Sequence, residues 1–472
     1  LGIPGVFAVG EGFLHDAQMA VSDAGMPTMR CLEMPGYLWH QDVSEKAPLA
    51  EEYWDDLAAA LTTPLTTEEL NPEQPERSSF PSDIVVGENY LDAIEEYNKL
   101  MCSYHWSTGL PLIPPTRERV DWMLSGTTRS PDEVIGKVET VGGIATIEKL
   151  AINSVMAGAK PEYFPVIIAA MEALLDENYD SLHISASAGS FTLAIIVSGP
   201  IATEIGMNTG TGIWGYGYRP NATIGHAVRL SMINLGHLWL GQNDMASNGR
   251  TQAYTFFTFC ENNEGSPWEP FHTLQGLNAS DSSVTVSTIT GAVGSYGGNT
   301  GEAIVQSMVN DVLSCGHAAF ANFVAGTANP AAHPTKQLAL LYPGKSKQIY
   351  EAGFTSLDQL RDYIYEQTRV PYEELTEAEI TGIQGRIQVS KDESSIMADR
   401  LPPEVIELWE ENLKPGGSIP SLVTKNDFSI FCVGTTEGYG SAVKFSYFRA
   451  PYNWTSQQTK KIYGATLTEA GK

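Results

Sequence analysis

The chain has 472 residues, 42% hydrophobic and 18% charged, and its 56 acidic against 28 basic side chains give a formal charge of -28. That length supports two or three domains with sizeable cores, and no window approaches the roughly 20 apolar residues of a membrane span. A surface so negative repels phosphate backbones and anionic lipids, which argues against nucleic-acid and membrane partners. Cys31, Cys102, Cys260, Cys315 and Cys432 are far apart and form no C-x-x-C. They argue against a disulfide scaffold and a closed cysteine zinc site, and for a cytoplasmic setting.

In chain order, 3–9 reads as a short buried strand, 13–24 as an amphipathic helix and 28–33 as a second strand. This is one β-α-β step of a parallel pair. A helix over 47–61 follows, then a Thr/Pro/Glu/Ser-rich linker over 62–88. Two strands and two helices do not bury a parallel sheet, so 1–61 is expected to be the second half of an α/β domain. Helices are predicted at 89–103 and, under a Thr cap after a double proline, over "TRERVDWML". The segment 146–176 reads as two apolar helices broken at Gly158 to Pro161, with Thr146 as N-cap and Pro161 at a first helical position. Strands are predicted at 182–188, 192–198, around 253–260 and at 283–289, with helices over 223–235 and 301–314. Beyond 336 the pattern alternates the strand "QLALLY", helices at 346–353 and 356–368, and strands at 427–433 and 441–448. No internal repeat is visible. The fold class is therefore α/β and α+β. A partial, Rossmann-like parallel unit (1–61) and a linker (62–88) precede a main α+β domain (89–335) and a C-terminal α/β subdomain (336–472).

Two stretches carry candidate chemistry. In "TGTGIWGYGYRPNATIGHAVRL", Gly210, Gly212, Gly215 and Gly217 allow close backbone approach, with Trp214 and Tyr216 as walls. Asn221 or Thr223 can cap the next helix, whose free N–H groups make an anion site that Arg219 and Arg229 would complete. Alternatively, both arginines pair with this protein's many carboxylates. In "FCENNEGSPWEPFH", Cys260, Glu261, Glu264, Glu269 and His272 fall on a loop leaving a strand. A desolvated carboxylate there would do acid–base work, with Trp268 as its apolar wall; the plainer alternative is solvated loop acids. Glu261, Glu264 and His272 could hold a metal, though their spacing is no known ligand pattern. Cys260 or Cys315 could form a Cys–His nucleophile pair, though an inert buried thiol is the commoner fate.

The blocks "GIPGVFAV" and "DDLAAALTTPLTTEE" resemble the C-terminal part of the UGSC-type (seleno)protein domain, named for a Sec/Cys-Gly-Ser-Cys motif. "TGLPLIPPT", "ATIEKLAINSVMAGAKPEYFPVIIAAMEAL", "GPIATEIGMNTG", "RPNATIGHAVRL" and "ENNEGSPWEPFH" are similar to the long region that accompanies it. The resemblance covers much of residues 1–300 and is looser past 336. It implies a redox-active thiol or selenol and a role in small-molecule catabolism. The name-giving motif would lie upstream of Leu1, and His226 stands where the family pattern has Arg.

Together these readings give three expectations. The first is an enzyme acting on a small organic acid by thiol- or selenol-assisted redox or reductive cleavage. In it Arg219, Asn221 and Arg229 hold the substrate anion, Glu261 or Glu264 shuttles protons, and Trp214, Tyr216 and Trp268 exclude water. The second is a lyase or hydratase that uses the loop carboxylates, with or without a metal. The third is a non-catalytic scaffold for a thiol protein. A homo-oligomer, or a complex with a chain carrying the missing half-domain, is expected because an open parallel edge must be covered.

Overall fold

The structure, a computed structural model, describes residues 5–10, 14, 17–18, 21, 26–34, 51–71, 84–187, 189–289, 292–324, 335–392, 401–435, 442–448 and 457–463. At the N-terminal end, β1 (Val6–Gly10) and β2 (Arg30–Met34) pair in parallel, with Val6 opposite Arg30. Between them Leu14, Ala17, Gln18 and Val21 are helical, completing the expected β-α-β step. Helices α1 (Trp54–Thr62) and α2 (Thr67–Leu70) bury no residue fully, and Arg30 supplies the cement. Its guanidinium grips both Glu69 oxygens at 2.7 and 2.8 Å and takes the carbonyls of Ala60 and Thr63 at the end of α1. These are carbonyls that a helix leaves without partners. The linker expected from 62 thus begins with an ordered turn, because Thr66 and Glu69 form a reciprocal capping box.

The body opens with α3 (Tyr90–Ser103), capped by Asn89, and α4 (Arg117–Leu124), capped by Thr116. An antiparallel pair, β3 (Val134–Val138) and β4 (Gly143–Thr146), leads into α5 (Ile147–Met156), with Thr146 as its N-cap. After Pro161 comes α6 (Phe164–Leu174), buried at all but one position. The segment expected as a strand over 182–188 is instead the short helix α7 (Ser181–Ala186). Its end carbonyls at Ser185 and Ser187 are taken by the Arg250 guanidinium, where a strand would need a neighbouring ladder.

From β5 (Thr192–Ser198) the chain passes through α8 (Ile201–Glu204) and α9 (Arg219–Gly236) to β6 (Phe257–Cys260), β7 (Ser283–Ile289) and β8 (Ala292–Tyr296). Next are α10 (Gly301–Val324), β9 (Thr335–Leu341), α11 (Pro343–Glu351), α12 (Leu357–Gln367), β10 (Arg369–Pro371), α13 (Glu377–Lys391), α14 (Pro403–Asn412) and β11 (Ser418–Pro420). The chain then adds β12 (Phe428–Cys432), β13 (Ala442–Phe448) and β14 (Gln457–Lys461). One four-stranded sheet has the order β14-β7-β5-β6 and the other β12-β9-β13-β8.

Strand alternation assigns the layers. Leu193, Ile195 and Val197 of β5 pack with α5, α6 and α9, while Ala194 and Ile196 meet Leu338, Leu340 and Phe431 of the other sheet. Ala339 and Leu341 of β9 face α10, α11 and α12. The body is therefore a helix–sheet–sheet–helix sandwich. This is the mixed α/β architecture expected, with its small parallel unit in front.

The sandwich contains the repeat that the sequence does not display. In each sheet a first strand (β5 or β9) has a parallel neighbour (β6 or β12) on one side and an antiparallel one (β7 or β13) on the other. Registers coincide: Val197 lies opposite Cys260 as Leu341 lies opposite Cys432. The next residue donates to the same place, Glu261 N to Val197 O at 2.8 Å and Val433 N to Leu341 O at 2.7 Å. Each half then gives its last strand to the other, β8 pairing with β13 and β14 with β7. Shared identity is confined to a few residues, chiefly Phe259-Cys260 and Phe431-Cys432, and the inserted β10, α13, α14 and β11 lengthen one copy.

Candidate functional site

Parallel strands in one register deliver their last residues side by side. Ser198 ends β5 and Glu261 follows β6, and the Ser198 hydroxyl donates to Glu261 Oε2 at 2.6 Å. Glu261 is 2% exposed, and Phe271 N donates to both its oxygens at 3.2 and 3.4 Å. All these donors are neutral. Burial pushes the carboxyl up to about 7, against the smaller opposing pull of those hydrogen bonds.

Four asparagines build the surroundings. Asn208 receives Gly210 N and donates to the carbonyls of Thr211 and Gly212, folding the glycine-rich loop on itself. Asn221 accepts from Asn208 N and donates to Ile213 O and Thr258 O, fastening that loop to β6. Asn263 accepts from Gly199 N. Asn262 clasps the two halves: its backbone N–H donates to Cys432 O at 2.7 Å, and its Nδ2 donates to Gly434 O at 2.6 Å and Thr209 O at 3.4 Å. The glycine loop and the exits of β6 and β12 therefore meet at one place, the C-terminal ends of both parallel pairs, where open α/β sheets present ligand sites.

The expected site residues divide sharply. Glu261 is at the centre. Glu264 and Glu269 are exposed. Cys260 is fully buried, points its thiol at Asn208 O, and is pushed up to about 12 by burial and by Glu261, which disfavours the thiolate that a nucleophile needs. Cys432, its counterpart, is likewise pushed up to about 12, chiefly by burial. The Cys315 side chain lies outside the described residues.

His272 is buried and spoken for at both nitrogens. Nε2–H donates to Asn278 O at 2.9 Å, which leaves Nδ1 to accept from the Ser283 hydroxyl at 3.0 Å. Burial holds it neutral, its pKa lowered. Glu261, Glu264 and His272 are not brought together, and among the described residues no group of three His, Cys, Asp or Glu is placed to hold a metal.

Trp268 is buried in the other half's core, with Nε1 donating to Phe354 O at 2.8 Å, and so does not wall the acid. Trp214 does pack locally, edge-on to Phe257 and Phe259, while Tyr216 is 100% exposed and walls nothing. Gly212 and Gly217 are required by left-handed backbone, φ +73° and +100°, and a Cβ on either would meet nothing; conformation, not close approach, explains them.

Of the anion site expected at the start of α9, Asn221 and Arg229 are engaged elsewhere. The helix begins at Arg219, so Asn221 lies inside it and caps nothing; the N-cap is Tyr218, without a side-chain bond. Arg219 donates to Gly158 O at 2.9 Å, which fixes the turn between α5 and α6. Arg229 is 6% exposed and pairs with Asp244 at 3.2 Å, so the alternative in which the arginines serve the protein's own acids holds for Arg229. Burial works against its charge, and Asp244 restores it. Arg250 completes the network at 2.9 Å from Asp244. His226 bonds Thr108 Oγ1 at 3.0 Å and is pushed down to about 4 by burial, a neutral packing residue.

Ser198, Asn208, Asn262, Asn263, Asp244 and Arg250 were not singled out in the sequence. Only the run Glu261-Asn262-Asn263 hinted at an asparagine-built corner. Among the described residues no helix is long and apolar enough to cross a membrane. No protein-family model, no curated protein and no solved structure matches the chain.

Proposed function

We propose that this protein is an enzyme that moves a proton on a small-molecule substrate, with Glu261 as its acid–base group, in a lyase, hydratase or related reaction. One observation carries the reading: a wholly buried carboxyl, held by neutral donors, with its pKa raised to about 7. Such a group is half ionised at neutral pH and serves equally as acid and base. When Glu261 is ionised, the Ser198 hydroxyl and Phe271 N–H fix the oxygens and leave remaining lone pairs to receive a proton. The raised pKa gives the proton back as readily. Asn262 and Asn208 hold the loops that border it.

The test is to incubate the chain with small organic acids in D2O and follow carbon-bound hydrogen exchange by NMR. Wild type is expected to exchange substrate hydrogen with a pH dependence centred near 7, and Glu261→Gln to lose at least 100-fold. Exchange unchanged in Glu261→Gln would reject the assignment.

A second reading keeps thiol or selenol chemistry, with the nucleophile supplied by a segment of UGSC type. Two features favour it: the thiols of Cys260 and Cys432 are both unprimed, and the β1–β2 pair is half-exposed, with Phe7 43% exposed, as for a sheet that takes further cover. Intact-mass measurement of the native assembly tests this, since it requires a Cys- or Sec-bearing partner segment.

A further inference from the structure

With Arg229 taken up by Asp244, the second half offers another candidate for holding an anion. Where β9 ends, Tyr342-Pro343-Gly344-Lys345-Ser346 turns directly into α11, and neither a side-chain cap nor an acidic residue occupies its first turn. Lys345 is 8% exposed, and its Nζ has one bond, to Gly298 O at 2.8 Å. Among the described residues no carboxylate pairs with it, in a chain with twice as many acids as bases. Burial lowers its pKa without an opposing charge. A buried ammonium without counter-charge is costly and calls for an anion. Beside it the Ser346 hydroxyl is fully buried, with the Cys432 thiol in hydrogen-bonding reach and no nitrogen or oxygen partner among the described residues.

These groups adjoin the acid. Cys432 lies within reach of both Ser346 and the Glu261 charge. Gly265, on the loop after β6, packs so closely on Pro343 that a Cβ would come 2.7 Å from its Cγ. The start of α11 and Glu261 thus flank Cys432 across the line between the two halves. Strand and helix are joined by Tyr342 alone, without the glycine-rich loop that wraps a polyphosphate, so this turn suits a single oxyanion group.

We propose that the first turn of α11 is an anion-binding subsite, in which Lys345 and Ser346 hold one carboxylate or phosphate group of the substrate. That the anion belongs to the molecule on which Glu261 acts rests on the proposed function; the subsite itself does not. The experiment is thermal unfolding with sodium phosphate or sodium acetate titrated in at constant ionic strength, on wild type, Lys345→Met, Ser346→Ala and Glu261→Gln. The expected result is a saturable rise in Tm with one of the two anions, which names the group. The rise is abolished in Lys345→Met, reduced in Ser346→Ala and retained in Glu261→Gln. Without anion, Lys345→Met is expected to melt no lower than wild type, because it removes an unpaired buried charge. No saturable rise with either anion, or an equal rise in both Lys345→Met and Ser346→Ala, overturns the subsite. Loss of hydrogen exchange as the only failure would instead count against Glu261 and leave the subsite standing.

Discussion

At the scale of single residues, Glu261 and Asp244 are opposite solutions to burying an acid. Asp244 is paired with two arginines, Arg229 and Arg250, each itself nine-tenths buried. Asp244→Asn strands two cations in the interior and is expected to cost about 3–5 kcal/mol in urea unfolding, whereas a surface pair would cost under about 1. Glu261 has no such partner and holds its proton up to about pH 7. Its folded pKa lies above its unfolded value, so the folded chain binds the proton more tightly and stability falls as pH rises from about 4.5 to about 7. Wild type is expected to lose roughly 3 kcal/mol more than Glu261→Gln over that interval, and denaturant unfolding of the two side by side reads the difference. Equal pH slopes would mean that the carboxyl is hydrated and ordinary. That Glu261 belonged to a charged loop was legible in the sequence; that it alone of Glu261, Glu264 and Glu269 is buried was not. Ser198, which lies beside it, comes from a strand more than 60 residues earlier.

Among elements, capping and helix periodicity carried the reading well. Thr116, Thr146 and Pro161 act where their local chemistry placed them, because a cap is settled within four residues. The 182–188 segment failed for the complementary reason: an isolated Leu/Ile/Ala run suits either state, and Arg250, more than 60 residues downstream, decided for helix by taking its carbonyls. Helix α9 shows the same dependence in packing. Gly225 is not there for flexibility: a Cβ would sit 1.8 Å from Thr255 O and 2.2 Å from Thr258 Oγ1, against the strand that carries Glu261. Gly225→Ala must push α9 off β6, and a loss of about 3 kcal/mol or more is expected, with weakened hydrogen-exchange protection in β6. A loss below 1 kcal/mol would show that the contact yields easily.

For the whole molecule, the exchanged strands are the decisive feature. Strand β14, from the end of the chain, completes the first half's sheet against β7, while β8 completes the second half's against β13. Deleting residues 457–472 is therefore expected to unpair β7 and abolish near-ultraviolet circular dichroism from the entire body; loss of a local tail signal alone would refute the interdependence. Composition, charge, the early β-α-β step and the longer helices and strands up to α12 were determined by the sequence itself, since propensity, caps and periodicity act over a few residues, whereas the β3–β4 pair, β8, α13, α14 and β14 were not read from it. Three things awaited the tertiary structure: the repeat, the corner where Asn262 joins the two halves, and the pairing of Arg229 with Asp244 while Lys345 is buried without an acid among the described residues. Strand pairing and burial are fixed by residues far apart in the chain, and an arginine is free for a ligand only if folding has brought it no acid.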